Sequence, residues 1–180
     1  MRLFIGIALP SETTQVLLRV REQYAPQAQG LRWSAPESWH VTLQFLGQTN
    51  EAACVIENLG TVHAKQVPVQ IAGLGFFDRA GVFQAGIILT PELLALQQFV
   101  SAAMRRCGFA PEDRAYNPHI TLARTKGRAG SKALAPLKKA VEMSRLAIDA
   151  AFVATDFILY ESIPGPSGSR YEVRERFPLA

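Results

Sequence analysis

The sequence predicts an α+β fold in which strands and helices are mixed along a chain of 180 residues. Strand-like and helix-like segments follow one another without the strict alternation of a doubly wound parallel sheet. The chain is 48% hydrophobic and 19% charged, which suits a buried core and not a disordered chain. The pattern His-[Val/Ile]-Thr-Leu occurs in two of the expected strands. We therefore expect one domain that spans residues 1–180 and contains an internal repeat.

Local patterns place the elements in order along the chain. Apolar, β-rich runs bounded by Pro or Gly predict strands, at residues 2–9, 31–34, 40–46, 67–77, 81–89, 115–123 and 170–177, with one or two more within 145–162. Apolar stripes at helical spacing predict helices, at residues 14–24, 51–64, 90–108 and 132–143. We expect Ser11 to cap the first helix and Thr90 the third, because a hydroxyl accepts the free N–H groups at a helix start.

Composition and patterning exclude several classes of protein. No apolar stretch approaches the roughly 20 residues of a membrane span. The apolar opening segment stops at Pro10 and lacks the cleavage pattern of a signal peptide. Cys54 and Cys107 stand alone in the sequence, and unpaired thiols are typical of a reducing compartment. We therefore expect a cytoplasmic protein that has no disulfide and does not associate with membranes.

The net charge of +4 is concentrated in the second half of the chain. Residues 1–90 carry six basic and six acidic residues, whereas residues 91–180 carry thirteen basic and nine acidic ones. Nine of those basic residues lie between positions 105 and 139, among them Arg124 and Arg128. Such a segment is either a solvated surface or a patch that faces phosphates, because clustered Lys and Arg attract polyanions. The charge alone does not decide between the two.

The repeated pattern uses two of the three histidines. Segment 40–43, His-Val-Thr-Leu, recurs as segment 119–122, His-Ile-Thr-Leu. Side chains alternate between the two faces of a strand, so each copy places its His and Thr on one face and its apolar residues on the other. The same alternation directs Phe45 towards the core. His63 lies outside any such pattern and is expected to be an ordinary residue near a helix end.

Two imidazoles and two hydroxyls across a cleft suit acid–base chemistry at a phosphodiester. Histidine donates and accepts protons near neutral pH, so His40 and His119 could act as the acid and the base of one displacement. The hydroxyls of Thr42 and Thr121 could bind the nonbridging oxygens, with arginine offsetting their charge. Two histidines without neighbouring carboxylates or thiolates leave a metal site short of ligands. The sequence also lacks the usual motifs of ATP-driven enzymes and serine hydrolases.

With these residues the sequence resembles the two-histidine (2H) phosphoesterase superfamily. Within it, the chain looks like the bacterial LigT-like RNA 2′,3′-cyclic phosphodiesterases, formerly called 2′-5′ RNA ligases. The resemblance covers nearly the whole chain and includes segments 1–7, 33–47, 118–124 and 169–171. It implies two pseudo-symmetric lobes, each a mainly antiparallel sheet with outer helices. The active-site cleft would lie between the lobes and receive one His-x-Thr motif from each.

The resemblance also implies a reaction and a role for each residue. The family hydrolyses RNA 2′,3′-cyclic phosphate ends to 2′-phosphates without a metal or other cofactor. His40 would be the proton donor to the leaving 3′-oxygen and His119 the proton acceptor that activates water, although the orientation of the substrate decides which is which. Thr42 and Thr121 would hold the phosphate, and Arg124 would contact it. Simple alternation places Arg124 on the face opposite His119, so the strand has to end or twist there.

Other interpretations stay open at this point. The same displacement with a hydroxyl in place of water would join RNA ends by an ATP-independent 2′-5′ ligation. A non-catalytic module for nucleotides or RNA ends would use its histidines only to hold phosphate. The expected partners are RNA or nucleotides with 2′,3′-cyclic phosphate ends, tRNA halves among them, bound by a monomer. Trp33, Trp39 and Tyr116 flank the motifs and could either stack a terminal base or support the fold.

Overall fold

The structure is a computed structural model that describes residues 1–127 and 130–180. Arg128, which belongs to the basic segment of the sequence, lies outside these residues. The strands of the described chain are β1 (Arg2–Ala8), β2 (Leu31–Trp33), β3 (His40–Gln48), β4 (Val67–Phe77), β5 (Val82–Ile87), β6 (His119–Thr125), β7 (Ala151–Ala154), β8 (Asp156–Ile163) and β9 (Arg170–Pro178). Its α-helices are α1 (Ser11–Tyr24), α2 (Ala52–Leu59), α3 (Pro91–Arg105) and α4 (Ala135–Ser144).

The strands form two antiparallel sheets, which confirms the predicted fold class. The first sheet has the order β3-β1-β8-β9 and the second the order β2-β6-β5-β4-β7. One His-x-Thr motif lies on β3 in the first sheet, and the other lies on β6 in the second. β3 and β6 come into contact, so the two motifs meet where the sheets meet.

A hydrophobic core joins both sheets. Ile5 and Val41 of the first sheet, Phe83 and Ile120 of the second and Leu96 of α3 are fully buried in it. Burial of an aliphatic or phenyl side chain of this size contributes about 1.5–3 kcal/mol. Because the residue after each motif histidine is among them, both histidine strands are anchored to the same core. Their opposite faces are left free to build a site.

Of the two predicted helix caps, Thr90 is confirmed and Ser11 is wrong. The Thr90 hydroxyl accepts the backbone N–H of Leu93 at 3.2 Å, as expected for the cap of α3. Ser11 is not a cap, because α1 begins at Ser11 itself and Pro10 occupies the capping position. The Pro10 carbonyl instead accepts the backbone N–H of Thr14 at 3.1 Å. Proline fixes the extended approach to the helix, and the helix begins at Ser11, three residues before the predicted start at residue 14.

The prediction of two unpaired cysteines is wrong. Cys54 on α2 and Cys107 just after α3 form a disulfide, with their Cα atoms 5.9 Å apart. The two residues are separated by 53 positions, and only the packing of α2 against α3 brings them together. Disulfides persist mainly in oxidising environments, so the cytoplasmic prediction loses the support that free thiols lent it. Among the described residues, no helix is long and apolar enough to cross a membrane.

Candidate active site

A β-bulge occurs at the same place in both histidine motifs. On β3, Thr42 pairs with Gly6 and Gln44 with Ile5, so Leu43 has no partner on β1. On β6, Thr121 pairs with Gln84 and Ala123 with Phe83, so Leu122 has no partner on β5. A bulge inserts one residue into a strand and reverses the alternation of the side chains that follow it. The repeat in the sequence is therefore also a repeat in backbone geometry.

The bulges turn two further side chains towards the face that carries the histidines. In each motif the bulged leucine and the residue after it are both buried, and the next one, Phe45 or Arg124, is exposed. Phe45 is 58% exposed, so the prediction that it faces the core is wrong. Arg124 lies on the same side of β6 as His119 and Thr121, which strict alternation did not allow. The fifth residue after each histidine thus differs between the motifs, aromatic on β3 and cationic on β6.

His40 lies among aromatic rings and is held by two hydrogen bonds. Its Nδ1–H donates to the Ser38 carbonyl at 2.7 Å, and its Nε2 accepts the Thr42 hydroxyl at 2.9 Å. The Phe4 ring centroid lies 4.7 Å from the imidazole and that of Tyr171 lies 5.4 Å away. Burial lowers the pKa of His40 to about 4, with a smaller contribution from the charge of His119 and an opposing one from the Ser38 carbonyl. The free protein therefore holds His40 neutral at neutral pH.

His119 has the same backbone anchor in different surroundings. Its Nδ1–H donates to the Asn117 carbonyl at 2.8 Å, the counterpart of the His40–Ser38 bond. A carbonyl can only accept, so both imidazoles carry their proton on Nδ1 when neutral and leave Nε2 as the unprotonated nitrogen. Phe77 packs edge-on against His119 with the ring centroids 4.8 Å apart.

A groove of about 1010 Å³ opens beside the two motifs. We call it the central groove; its walls are β3 at residues 42, 43 and 45, segment 76–80, one face of α3 and the segment from 111 to 119. Thr42 and His119 both line it, so it receives a residue from each motif. His40 does not itself line the groove, but its Nε2 accepts a hydrogen bond from Thr42, which does. Thr121 and Arg124 lie on the same face of β6 as His119 but are not among the residues that line the groove.

The aromatic residues that flank the motifs support the fold. Trp39 is only 4% exposed, and Trp33 packs edge-on against the core residue Phe83 at 5.8 Å. The Tyr116 hydroxyl donates to the Thr42 carbonyl at 2.8 Å and so ties the segment before β6 to β3. Burial, with a smaller contribution from the charge of Glu112, raises the pKa of Tyr116, which keeps this donor protonated.

Two residues on the neighbouring strands are not apparent from the sequence pattern. Arg32 on β2 pairs directly with Arg124, and both side chains are exposed. Like charges directly opposite on a sheet repel, and neither arginine forms an ion pair with a described residue. Gln84 on β5 pairs with Thr121, and its buried Oε1 has no hydrogen-bond partner within the described chain. Only the strand register reveals these neighbours, because Arg32 and Gln84 lie far from position 119 in the sequence.

The remaining titratable groups do not enlarge the site. His63 is exposed beyond the end of α2 and is not among the residues that line the central groove. In the part of the chain that the structure describes, His, Cys, Asp and Glu side chains form no group of three or more that could hold a metal ion. The arrangement offers two imidazole nitrogens, hydroxyl donors and two neighbouring guanidinium groups. These are the groups that acid–base displacement at a phosphodiester requires.

Known proteins resemble this chain in sequence and in fold. A family model described as "LigT like Phosphoesterase" matches residues 7–83 and 89–171. The RNA 2′,3′-cyclic phosphodiesterase of Aeropyrum pernix is 28% identical over 161 residues, which cover 82% of this chain and 92% of that protein. The protein of that name from Aquifex aeolicus is 31% identical over 134 residues, 69% of this chain and 71% of its own. The crystal structure of E. coli LigT complexed with 3′-AMP has a TM-score of 0.79 at 24% identity, covering 99% and 97% of the two chains.

Proposed function

The chain belongs to the LigT-like phosphoesterase family, and we propose that it hydrolyses the 2′,3′-cyclic phosphate ends of RNA and nucleotides to 2′-phosphates. Relatives that match most of their length carry the name RNA 2′,3′-cyclic phosphodiesterase. The observation that carries the proposal is the meeting of two His-x-Thr motifs, one from each sheet, with both Nδ1 atoms bound to backbone carbonyls. This anchoring leaves two Nε2 atoms for proton transfer. The substrates we propose include tRNA halves.

The reaction divides the two proton transfers between the two histidines. His119 accepts a proton from water at Nε2 while the water oxygen attacks phosphorus. The bond from phosphorus to the 3′-oxygen breaks, and His40 donates the proton from its Nε2 to that oxygen. The product carries a 2′-phosphate and a free 3′-hydroxyl. Exchange of protons with solvent then restores both histidines, so the cycle balances without a further reactant.

The buried position of His40 suits a proton donor once substrate is bound. A pKa of about 4 makes its imidazolium a strong acid, which favours transfer to the leaving oxygen. At pH 7 only about one molecule in a thousand of the free protein would carry that proton. The anionic cyclic phosphate raises the proton affinity of His40 when it binds, because an opposite charge nearby stabilises the imidazolium. Substrate binding and protonation of His40 are therefore coupled.

The threonines and arginines bind the phosphate in this proposal. In the free protein the Thr42 hydroxyl donates to Nε2 of His40. When Nε2 is protonated it can no longer accept, and the Thr42 hydroxyl is released to donate to a nonbridging oxygen. Thr121 supplies the equivalent hydroxyl on β6. Arg124, together with its cross-strand neighbour Arg32, offsets the negative charge.

Phe45 is the best candidate for a surface that stacks the terminal base. It lines the central groove, is exposed, and packs on Phe4 with the ring centroids 5.9 Å apart. An exposed ring supported from below is a sequence-tolerant platform for any base. The crystallisation of E. coli LigT with 3′-AMP is consistent with a nucleotide in such a groove.

The decisive experiment is turnover of a 2′,3′-cyclic nucleotide in the presence of EDTA, with the product identified by chromatography as the 2′- or 3′-phosphate. We expect the 2′-phosphate. His40→Ala and His119→Ala should each lower kcat by about 10²- to 10⁴-fold. His63→Ala is the matched control, since it removes the third histidine outside the site, and it should leave kcat unchanged. Retained turnover in both motif variants, or a requirement for a divalent metal, would overturn the mechanism.

A further inference from the structure

The central groove extends beyond the two histidines into a region that the proposed chemistry does not use. From His119 and Thr42 it continues along α3 and segment 111–117. Its volume of about 1010 Å³ lies at the upper end of the roughly 300–1,000 Å³ of pockets that enclose a whole small ligand. A terminal nucleotide with its cyclic phosphate is one such ligand. The groove therefore has room for more of the substrate than the reacting end.

The wall that α3 contributes consists of polar and small side chains. Gln97, Gln98, Ser101 and Ala102 line the groove, whereas Leu96 on the opposite side of the helix is fully buried. The small residues keep this wall from closing the groove. The two amide side chains can donate to and accept from the edges of bases whatever their identity. Such a wall suits a ligand that is polar, extended and variable in sequence.

The rim of the groove carries an excess of positive charge. Arg79, Arg105 and Arg114 line it and are exposed, and none of them forms an ion pair with a described residue. The groove also has two acidic residues, of which Asp78 is paired with Lys138. Three guanidinium groups thus oppose the single remaining carboxylate of Glu112. Clustered guanidinium groups beside a groove concentrate polyanions.

We propose that the central groove binds the RNA strand on the 5′ side of the cyclic end, so that the protein recognises an oligonucleotide and not only its terminal nucleotide. This inference rests on the proposed function, because it assumes that the cyclic phosphate lies between His40 and His119. From that point the strand continues through the 5′-oxygen and adds one negative charge per nucleotide. Arg79, Arg105 and Arg114 neutralise those charges, and the exposed rings and amides of the groove contact the bases.

The test compares two substrates that share one reacting group. The kcat/KM for uridine 2′,3′-cyclic phosphate depends on the catalytic centre alone. The kcat/KM for a pentauridylate ending in a 2′,3′-cyclic phosphate depends on both the centre and the groove. We expect kcat/KM of the wild type to be about tenfold higher for the pentamer at low salt. The double variant Arg105→Gln/Arg114→Gln should lose most of this advantage while its kcat/KM for the mononucleotide stays within about twofold. The variants carrying either change alone should show intermediate losses.

A charge-matched control separates a local effect from a change in net charge. Arg19→Gln/Lys65→Gln also removes two exposed positive charges, outside the groove, and should leave both substrates unaffected. We call Arg105→Gln/Arg114→Gln the groove variant. Its slope of log Kd against log salt concentration should be smaller than that of the wild type by about 1.4. This is about 0.7 for each phosphate of a single strand that the variant no longer neutralises. That Kd is measured by fluorescence anisotropy with a labelled pentanucleotide bearing a 3′-phosphate, which the enzyme cannot turn over.

The outcomes distinguish this inference from the proposed function. An equal kcat/KM of the wild type for both substrates, or an equal loss on both in the groove variant, would refute strand binding in the groove. If the wild type hydrolyses neither substrate, the proposed function fails. The anisotropy measurement then still judges the groove, since weaker binding by the groove variant than by the control supports it and equal binding refutes it.

Discussion

The two histidine motifs have the same backbone geometry but different surroundings. Each histidine bonds the carbonyl two residues before it, and each strand bulges at the leucine three residues after it. His40, however, packs against Phe4 and Tyr171 in a cluster of rings, whereas His119 packs edge-on against Phe77 at the open groove. Burial raises the pKa of neighbouring Tyr160 to about 12, so this phenol stays neutral and offers no charge to offset an imidazolium.

A repeated motif therefore need not give two equivalent groups. The positions paired with the two threonines also differ, since Gly6 lies opposite Thr42 and Gln84 opposite Thr121. A Cβ at Gly6 would lie 3.1 Å from the His40 ring and 2.9 Å from the Val41 carbonyl oxygen, so a side chain there would crowd the imidazole. Gln84 instead places an amide beside the second motif. Acid and base roles are assigned when environments drive the proton affinities of two like groups apart.

Substitution of either motif histidine should lower the rate most, and a modified leaving group then distinguishes the proton donor from the proton acceptor. His40→Asn and His119→Asn should each lower kcat by about 10²- to 10⁴-fold on a normal cyclic phosphate. With a substrate whose 3′-oxygen is replaced by sulfur, the leaving group needs no proton, so the His40 variant should recover most of its activity and the His119 variant should not. Single-turnover rates measure both. If only the His119 variant recovers activity, His119 is the proton donor and His40 the acceptor. If neither variant recovers, the assignment of separate donor and acceptor roles is refuted.

Smaller losses of activity are expected from substitutions at the fifth residue after each histidine, which is Phe45 on β3 and Arg124 on β6. Arg124→Ala should lower kcat/KM by about 10- to 100-fold, because a charged hydrogen bond to phosphate contributes about 1.5–3 kcal/mol. Phe45→Ala should mainly raise KM, by about 5- to 10-fold, which is the lower end of the about 1–3 kcal/mol that base stacking contributes to binding. Steady-state kinetics with a cyclic mononucleotide compare them, and Phe45→Tyr, which keeps the ring, is the control. If both alanine variants lose kcat equally, the two positions do not differ in function.

A separate effect, which does not require substrate, concerns stability and its dependence on pH. Burial lowers the pKa of His40 to about 4, so between pH 6.5 and 4 the unfolded chain binds a proton that the folded protein does not. Over this range, as the pH falls, the free energy of unfolding should decrease by up to about 3 kcal/mol more for the wild type than for His40→Asn. Urea titrations at several pH values measure this difference. Parallel curves for the two proteins would show that His40 is not desolvated.

Short-range patterns accounted for most of the fold and for the centre of the site. Alternation along a strand depends only on local backbone geometry, so the common face of His119 and Thr121 could be predicted without a structure. The cap at Thr90 is equally local. The predicted strand at 115–123 begins four residues later, because Pro118 has no N–H to give to a ladder and the preceding residues form a loop. The errors at Phe45 and Arg124 arose because a bulge is a property of strand pairing.

Local sequence patterns were sufficient to predict the class of fold, the two His-x-Thr motifs and the face of each strand that they occupy, because these depend on residues close together in the chain. Tertiary structure decided what required distant residues to meet. It placed Arg32 beside Arg124, joined Cys54 to Cys107 and enclosed His40 in aromatic rings from other strands. The proton affinity of a histidine depends on its solvation and its neighbours, and packing rather than local pattern supplies both.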